Sequence, residues 1–189
     1  FAKANGIDIS KVKVEPVGFP TREPMLAEGK VDSVTGFSFS SYLNLVRLGV
    51  PEEDISTILM ADHGLKLYGN AVIVNTDYAK NNPDMVKKFL VAVGAGWRDA
   101  IKDPKSAAAA LVKRNPAADA ALEQRRLQLA IDANVLTDYV KANGMGGVDS
   151  TRFAAAIQQL SETYEYKAAP NAALYFTDEY LPASGISVN

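Results

Sequence analysis

Residues 68–113 read YGNAVIVNTDYAKNNPDMVKKFLVAVGAGWRDAIKDPKSAAAALVK, and the reading of this stretch decides the fold. It opens on a short apolar run, Ala71 to Val74, rich in β-branched residues and bounded by Asn70 and Asn75. Such a run predicts a strand with both faces covered. Asn82-Pro83-Asp84 then carries helix-start chemistry. Asn82 can cap free N–H groups, Pro83 loses nothing at the first helical position, and Asp84 meets the positive end of the helix dipole. Val86, Phe89, Leu90, Val93, Trp97 and Ile101 follow at the spacing of one buried helix face, which makes Trp97 a core residue. Asp103-Pro104 repeats the start signal for a second helix. Before residue 68 strand and helix signals alternate; after Asn75 no strand signal recurs.

Working back from this stretch, three further strands are predicted near Val12–Val17, Val31–Thr35 and Ile55–Met60. Between them lie a helix starting near Thr21 and ending at Gly29, and a second carrying Tyr42, Leu43, Leu45, Val46 and Leu48. FAKANG at the start reads as a helix end closed by Gly6. Strand, helix, strand at such short spacings predicts a parallel, helix-covered sheet, an α/β class. Ligands of such sheets sit beyond the carboxyl ends of the strands. Here those ends are Gly18–Thr21, Gly36–Ser40 and Asp62–Gly64. Working forward, helices are predicted from Asp119, from Thr137 and from Asp149, and the aromatic tail Tyr175–Pro182 is expected to dock on a core.

Composition narrows the function classes. The chain has 189 residues, 22% of them charged, and a net charge of −2. That is no electrostatic footprint of a general nucleic-acid binder. No apolar run reaches the ~20 residues that span a bilayer. There is no cysteine, so thiol catalysis, disulfides and cysteine-ligated metals are excluded within these residues. His63 is the single histidine, so no two-histidine metal site can be built. Neither a catalytic residue nor a metal or cofactor is expected.

Several motifs taken together resemble a known family: GKVDSVTGFSFSSY, ILMADHGLKLYGNAVIV, NNPDMVKKFLVAVGAGWRDAIKDPKSA and FTDEYLP. They are similar to the substrate-binding proteins of bacterial ABC importers, in the nitrate/sulfonate/taurine and thiamine-pyrimidine-precursor group. The resemblance implies a type II periplasmic-binding fold, present in part. Residues 1–69 would be the remainder of lobe 2, and residues 70–189 the return strand and helices belonging to lobe 1. It implies a protein without chemistry that captures a small polar organic or anionic solute between its lobes. The solute would be delivered to the transmembrane subunits of an ABC permease, in the periplasm or from a cell-surface anchor. A signal region is not present among these residues, and neither direct membrane insertion nor a nucleic-acid partner is expected. With the opening lobe lacking, the helices after Asn82 would expose apolar faces and the chain alone is expected to self-associate. Two alternatives of the same fold are a ligand-sensing domain and a thiamine-pyrimidine biosynthesis enzyme. The enzyme relatives use a histidine- and cysteine-rich iron site, which this composition does not supply.

The candidate ligand-binding residues are Phe19, Gly36, Phe37, Ser38, Ser40, Tyr42, His63, Tyr68 and Asn70. Phe19 and Phe37 offer flat faces for a planar ring. Ser38 and Ser40 sit at a helix start, where free N–H groups and hydroxyls meet a polar edge or an anion; simple capping by Ser40 is the plainer reading. Pyrimidine-precursor relatives carry an aromatic-Asn-Tyr-Glu pattern in this loop. Here Leu43 follows Tyr42 and the Glu is absent, which speaks against a pyrimidine precursor. A lone loop histidine is more often a surface group, while the sharper reading puts His63 on a cleft rim beside Asp62. Tyr68 and Asn70 flank the return strand and either touch ligand or brace the hinge. Arg22 can reach an anion, although most such arginines are solvated. Arg114, Arg125 and Arg126 read as a solvated helix face countered by Glu123.

Overall fold

The computed structural model describes residues 1–164, 166–168, 170–183 and 185–188. It is helical: α1 (Phe19–Ala27), α2 (Ser38–Arg47), α3 (Thr76–Asn81), α4 (Pro83–Lys102), α5 (Pro104–Arg114), α6 (Ala120–Ala130), α7 (Asp138–Asn143) and α8 (Ser150–Thr163). Local chemistry places most of the helix starts. The Asp119 side chain accepts a hydrogen bond from Leu122 N, Thr137 from Val140 N, and Asp149 from Arg152 N, so three helices begin on side-chain caps. Asn82 precedes α4 without capping it through its side chain; its amide instead donates to Tyr78 O at 3.1 Å. Helix α3 begins at Asn75, whose side chain accepts from the N–H groups of Asp77 and Tyr78. Helix α1 starts at Phe19 rather than near Thr21, because Pro20 favours the first helical turn.

The four segments expected as strands are neither helical nor paired. The β-pairing among the described residues is one isolated antiparallel bridge, Met145 with Ile186. A strand is defined by its hydrogen-bonded neighbour, and Val12–Val17, Val31–Thr35, Ile55–Met60 and Ala71–Val74 have no such neighbour here. Most of their β-branched side chains are exposed, Ile73 to 92%, while Val31, Val34 and Ile55 are half-buried.

The chain divides into two compact units, Phe1–His63 with Pro104–Asn134, and Gly64–Asp103 with Val135–Asn189. In the first, α6 packs on both α5 and α2, and α2 also meets α1. Leu43 and Leu45 of α2 are both buried although two residues apart point to opposite sides of a helix, so α2 is covered from two directions. Ala108 and Ile131 complete this core, and a short π-helical segment, Ile131–Val135, extends α6.

In the second unit α3 packs on α4, and Val86 and Gly94, about two turns apart, form the buried stripe of α4. A side chain at Gly94 would collide with Ile186, which the tail presses against the helix. Arg98, one turn on, donates to Ser187 O at 3.1 Å. The tail docks as expected: Phe176 packs edge-on to Phe153 at 6.0 Å, and Ile186 and Val188 are buried. Helix α8 also straps the irregular segment before residue 69. Gln159 accepts from Lys66 N and donates to Gly64 O, and Arg152 donates to the carbonyls of Lys66 and Leu67. Side chains thus satisfy backbone groups that a sheet ladder would otherwise pair.

Candidate functional site

The site builds up in the first unit, where α1 and α2 begin. Phe19 opens α1 with its ring 80% exposed, and the Arg22 guanidinium lies over that ring at 5.2 Å from its centre. Arg22 is anchored from the other side. Its Nε and Nη2 both donate to Glu23 Oε1, at 2.9 and 2.6 Å. Ser41 Oγ donates to the same oxygen at 2.7 Å and accepts from Arg22 Nη2 at 3.1 Å. Glu23 is 2% exposed, a charge buried only because three donors converge on it. Burial by itself would raise its pKa; the hydrogen bonds from Ser41 and Arg22 outweigh that and hold the carboxyl below the usual range.

This cluster carries the loop before α2. A Cβ at Gly36 would collide with Ser41 Oγ and lie 2.9 Å from Arg22 Nη2, so the loop touches the network at a point where a side chain would displace one or both of these groups. Phe37 follows immediately, preceding the first turn of α2, and stacks nearly parallel on Phe39 with ring centres 5.3 Å apart. Phe37 is 49% exposed. Ser38 is the first residue of α2. The α2 start has no side-chain cap, so the plainer reading of Ser40 as the capping residue does not hold. Ser40 Oγ instead lies 3.5 Å from Arg126 Nη1, which also donates to Phe39 O at 3.2 Å.

Arg125 and Arg126 therefore correct the expectation of a solvated helix face. Arg126 pairs with Glu123, as charge spacing suggests, but it also pins the start of α2 from α6. Arg125 is paired with Glu52, and the Tyr42 hydroxyl donates to that carboxylate at 2.6 Å. Tyr42, a candidate ligand residue, is thus occupied in joining α2 to the turn Glu52–Asp54 and to α6. Arg125 and Tyr42 hold the Glu52 carboxyl at about 2, against an ordinary value of 4.5. A carboxyl depressed in the folded state adds stability above its ordinary value and loses it as pH falls through the folded value. We expect the melting-temperature difference between the protein and its Glu52→Gln variant to shrink between about pH 4.5 and pH 2, and to be smaller in high salt. A difference that is constant over this range in thermal melts would show that the pair contributes nothing.

The remaining candidates are placed elsewhere. His63 is exposed; its carbonyl accepts from Asn5 Nδ2 at 2.8 Å and its ring meets Phe1 edge-on at 6.4 Å. Tyr68 and Asn70 belong to the second unit. The Tyr68 hydroxyl accepts from Asp149 N at 2.8 Å, its ring lies under Arg152 at 4.7 Å, and it meets Phe153 edge-on. These contacts make it a brace for the start of α8. Asn70 is exposed. The structure thus brings together Phe19, Gly36, Phe37, Ser38 and Ser40, and adds Arg22, Glu23, Ser41 and Arg126. The second unit carries a surface groove of about 320 Å³ lined by Ala79, Lys80, Pro83, Lys87, Glu179 and Tyr180, none of them a ligand-binding candidate from the sequence.

This arrangement offers aromatic faces and neutral donors around a charge-compensated pair, the make-up of a recognition surface. The family described as NMT1/THI5 like matches residues 1–107, more than half of the chain, and the chain belongs to that family. It is similar to the riboflavin-binding protein RibY of Chloroflexus aurantiacus, with 26% identity over 184 residues, covering 95% of this chain and 50% of that protein. The chain thus spans about half the length of that relative. Among the described residues no helix is long and apolar enough to cross a membrane.

Proposed function

We propose that this chain is the later part of the solute-binding component of an ABC importer. It captures a small, planar, polar organic solute and hands it to the permease in the periplasm without changing it. Family membership and the likeness to a protein named for riboflavin binding support a binding role. The observation that carries the site is the pair of exposed aromatic side chains, Phe19 under the Arg22 guanidinium and Phe37 next to Gly36, which touches the Arg22–Glu23–Ser41 network. Exposed rings held on a rigid polar base stack planar solutes well. We further propose a type II periplasmic-binding fold for the whole protein. The uncovered apolar runs, Ala71–Val74 above all, would then pair with sheet strands from the rest of the longer polypeptide. Sulfonate and nitrate are the less favoured solutes, because an anion gains little from aromatic faces.

Calorimetry with riboflavin on the natural full-length polypeptide tests this reading. Phe37→Ala is expected to weaken binding about tenfold, from a lost stacking contribution of ~0.5–1.5 kcal/mol and the apolar area that goes with it. Ser38→Ala should weaken it less. Unchanged affinity in both variants would remove this loop from the pocket, and a chemically altered ligand would overturn the binding-protein reading itself.

A further inference from the structure

Arg22 has two N–H donors to spare, both on Nη1. Its Nε and Nη2 are committed to Glu23 and Ser41, whereas Nη1 has no protein partner among the described residues. Since no buried side-chain nitrogen or oxygen is left unpaired among them, Nη1 reaches solvent although only 17% of the Arg22 side chain is exposed. The same guanidinium lies over the exposed Phe19 ring and beside Gly36, immediately before Phe37. A ring seated against Phe19 therefore meets a guanidinium that Glu23 and Ser41 hold in place and whose Nη1 donors are uncommitted. The charge of that guanidinium is already balanced by Glu23, with Oε1 only 2.6 Å from Nη2. A full anion at Nη1 would gain little net attraction and would approach a buried carboxylate; a neutral carbonyl would gain the hydrogen bond without that repulsion.

We infer that Arg22 is the specificity-determining residue of this site, and that the Arg22–Glu23 pair selects a neutral planar ring with a carbonyl edge, such as an imide, over sulfonates and other anions. This rests on the binding-protein reading above and narrows it to one ligand class. The roles are separable. Nη1 reads the carbonyl, Glu23 removes the net charge that would attract anions, and Ser41 fixes the geometry of both.

The test titrates the natural full-length polypeptide with riboflavin and with methanesulfonate by calorimetry, in the wild type, Glu23→Gln and Arg22→Lys. The wild type is expected to prefer riboflavin. Glu23→Gln leaves the guanidinium uncompensated and should move the ratio of the two affinities toward methanesulfonate by about tenfold or more. Arg22→Lys keeps a positive charge beside Glu23 but loses Nη1 and the forked contact, so riboflavin affinity should fall about tenfold in a protein that melts at a lower temperature but still cooperatively. It serves as the deciding variant if Glu23→Gln does not fold. A wild-type preference for methanesulfonate, an unshifted ratio in a folded Glu23→Gln, or full riboflavin affinity in Arg22→Lys each overturns this inference and leaves the binding reading standing. A wild type that binds neither probe overturns the reading and the inference with it.

Discussion

Replacing Arg22 by alanine is expected to lower stability by about 3 kcal/mol, the lower end for breaking a buried ion pair, since Arg22 keeps some contact with water. The cost arises because Glu23, 2% exposed, would keep only the Ser41 hydroxyl as a side-chain donor to Oε1. In a protein of this size that corresponds to a fall in melting temperature of about 6–12 °C. The double variant Arg22→Met with Glu23→Leu should recover most of the loss, because it removes both charges instead of stranding one. Thermal melts by circular dichroism decide the matter. A single variant as stable as wild type would mean that the pair does not anchor the loop. A double variant as unstable as the single would mean that the lost packing, not the stranded charge, sets the cost.

The second large effect belongs to Leu43. It is 0% exposed, on the helix that carries the loop before it, and α2 is held between α1 and α6. Leu43→Ala removes three carbons from a site covered on two sides, and is expected to cost about 2–5 kcal/mol through lost burial and an unfilled cavity. Leu43→Met, which conserves volume, should cost less than about 1.5 kcal/mol. Denaturant unfolding of both variants measures the difference. Equal, small losses would place Leu43 in a part of the unit able to collapse around the cavity.

What was legible in the sequence was local. Asp119, Thr137 and Asp149 announce their helices because a cap bonds within three residues, and Pro83 and Pro104 fix helix starts in the same way. Glycine at Gly6 closes its turn with φ of 65°, the left-handed conformation that glycine adopts at no steric cost. Helix α3 is not legible because Asn75 reads as the boundary of a strand, whereas its side-chain oxygen accepts from the N–H groups of Asp77 and Tyr78. Strand-end logic points to the loop residues Phe19, Gly36 and Phe37, although the strands it assumes are unpaired; what gathers these residues is Arg22 and the burial of Glu23. Nothing in FPTREPMLA distinguishes Glu23 from an ordinary solvated glutamate, because its partner Ser41 lies 18 residues away. Arg125 reaches Glu52 across 73 residues and Arg126 reaches Phe39 across 87, separations at which no sequence periodicity operates. The strand expectations depend on the same kind of distant information, since an apolar run shows β-character but not its neighbour.

Native mass spectrometry of the full-length polypeptide, purified without denaturation from its natural source, is expected to show one small organic molecule bound per chain. That molecule should be neutral and planar, leave with its mass unchanged on denaturation and bind again when it is added back. A protein that carries no such molecule and takes up neither riboflavin nor any other planar solute added in excess would contradict the proposed binding role, as would a bound molecule returned in chemically altered form.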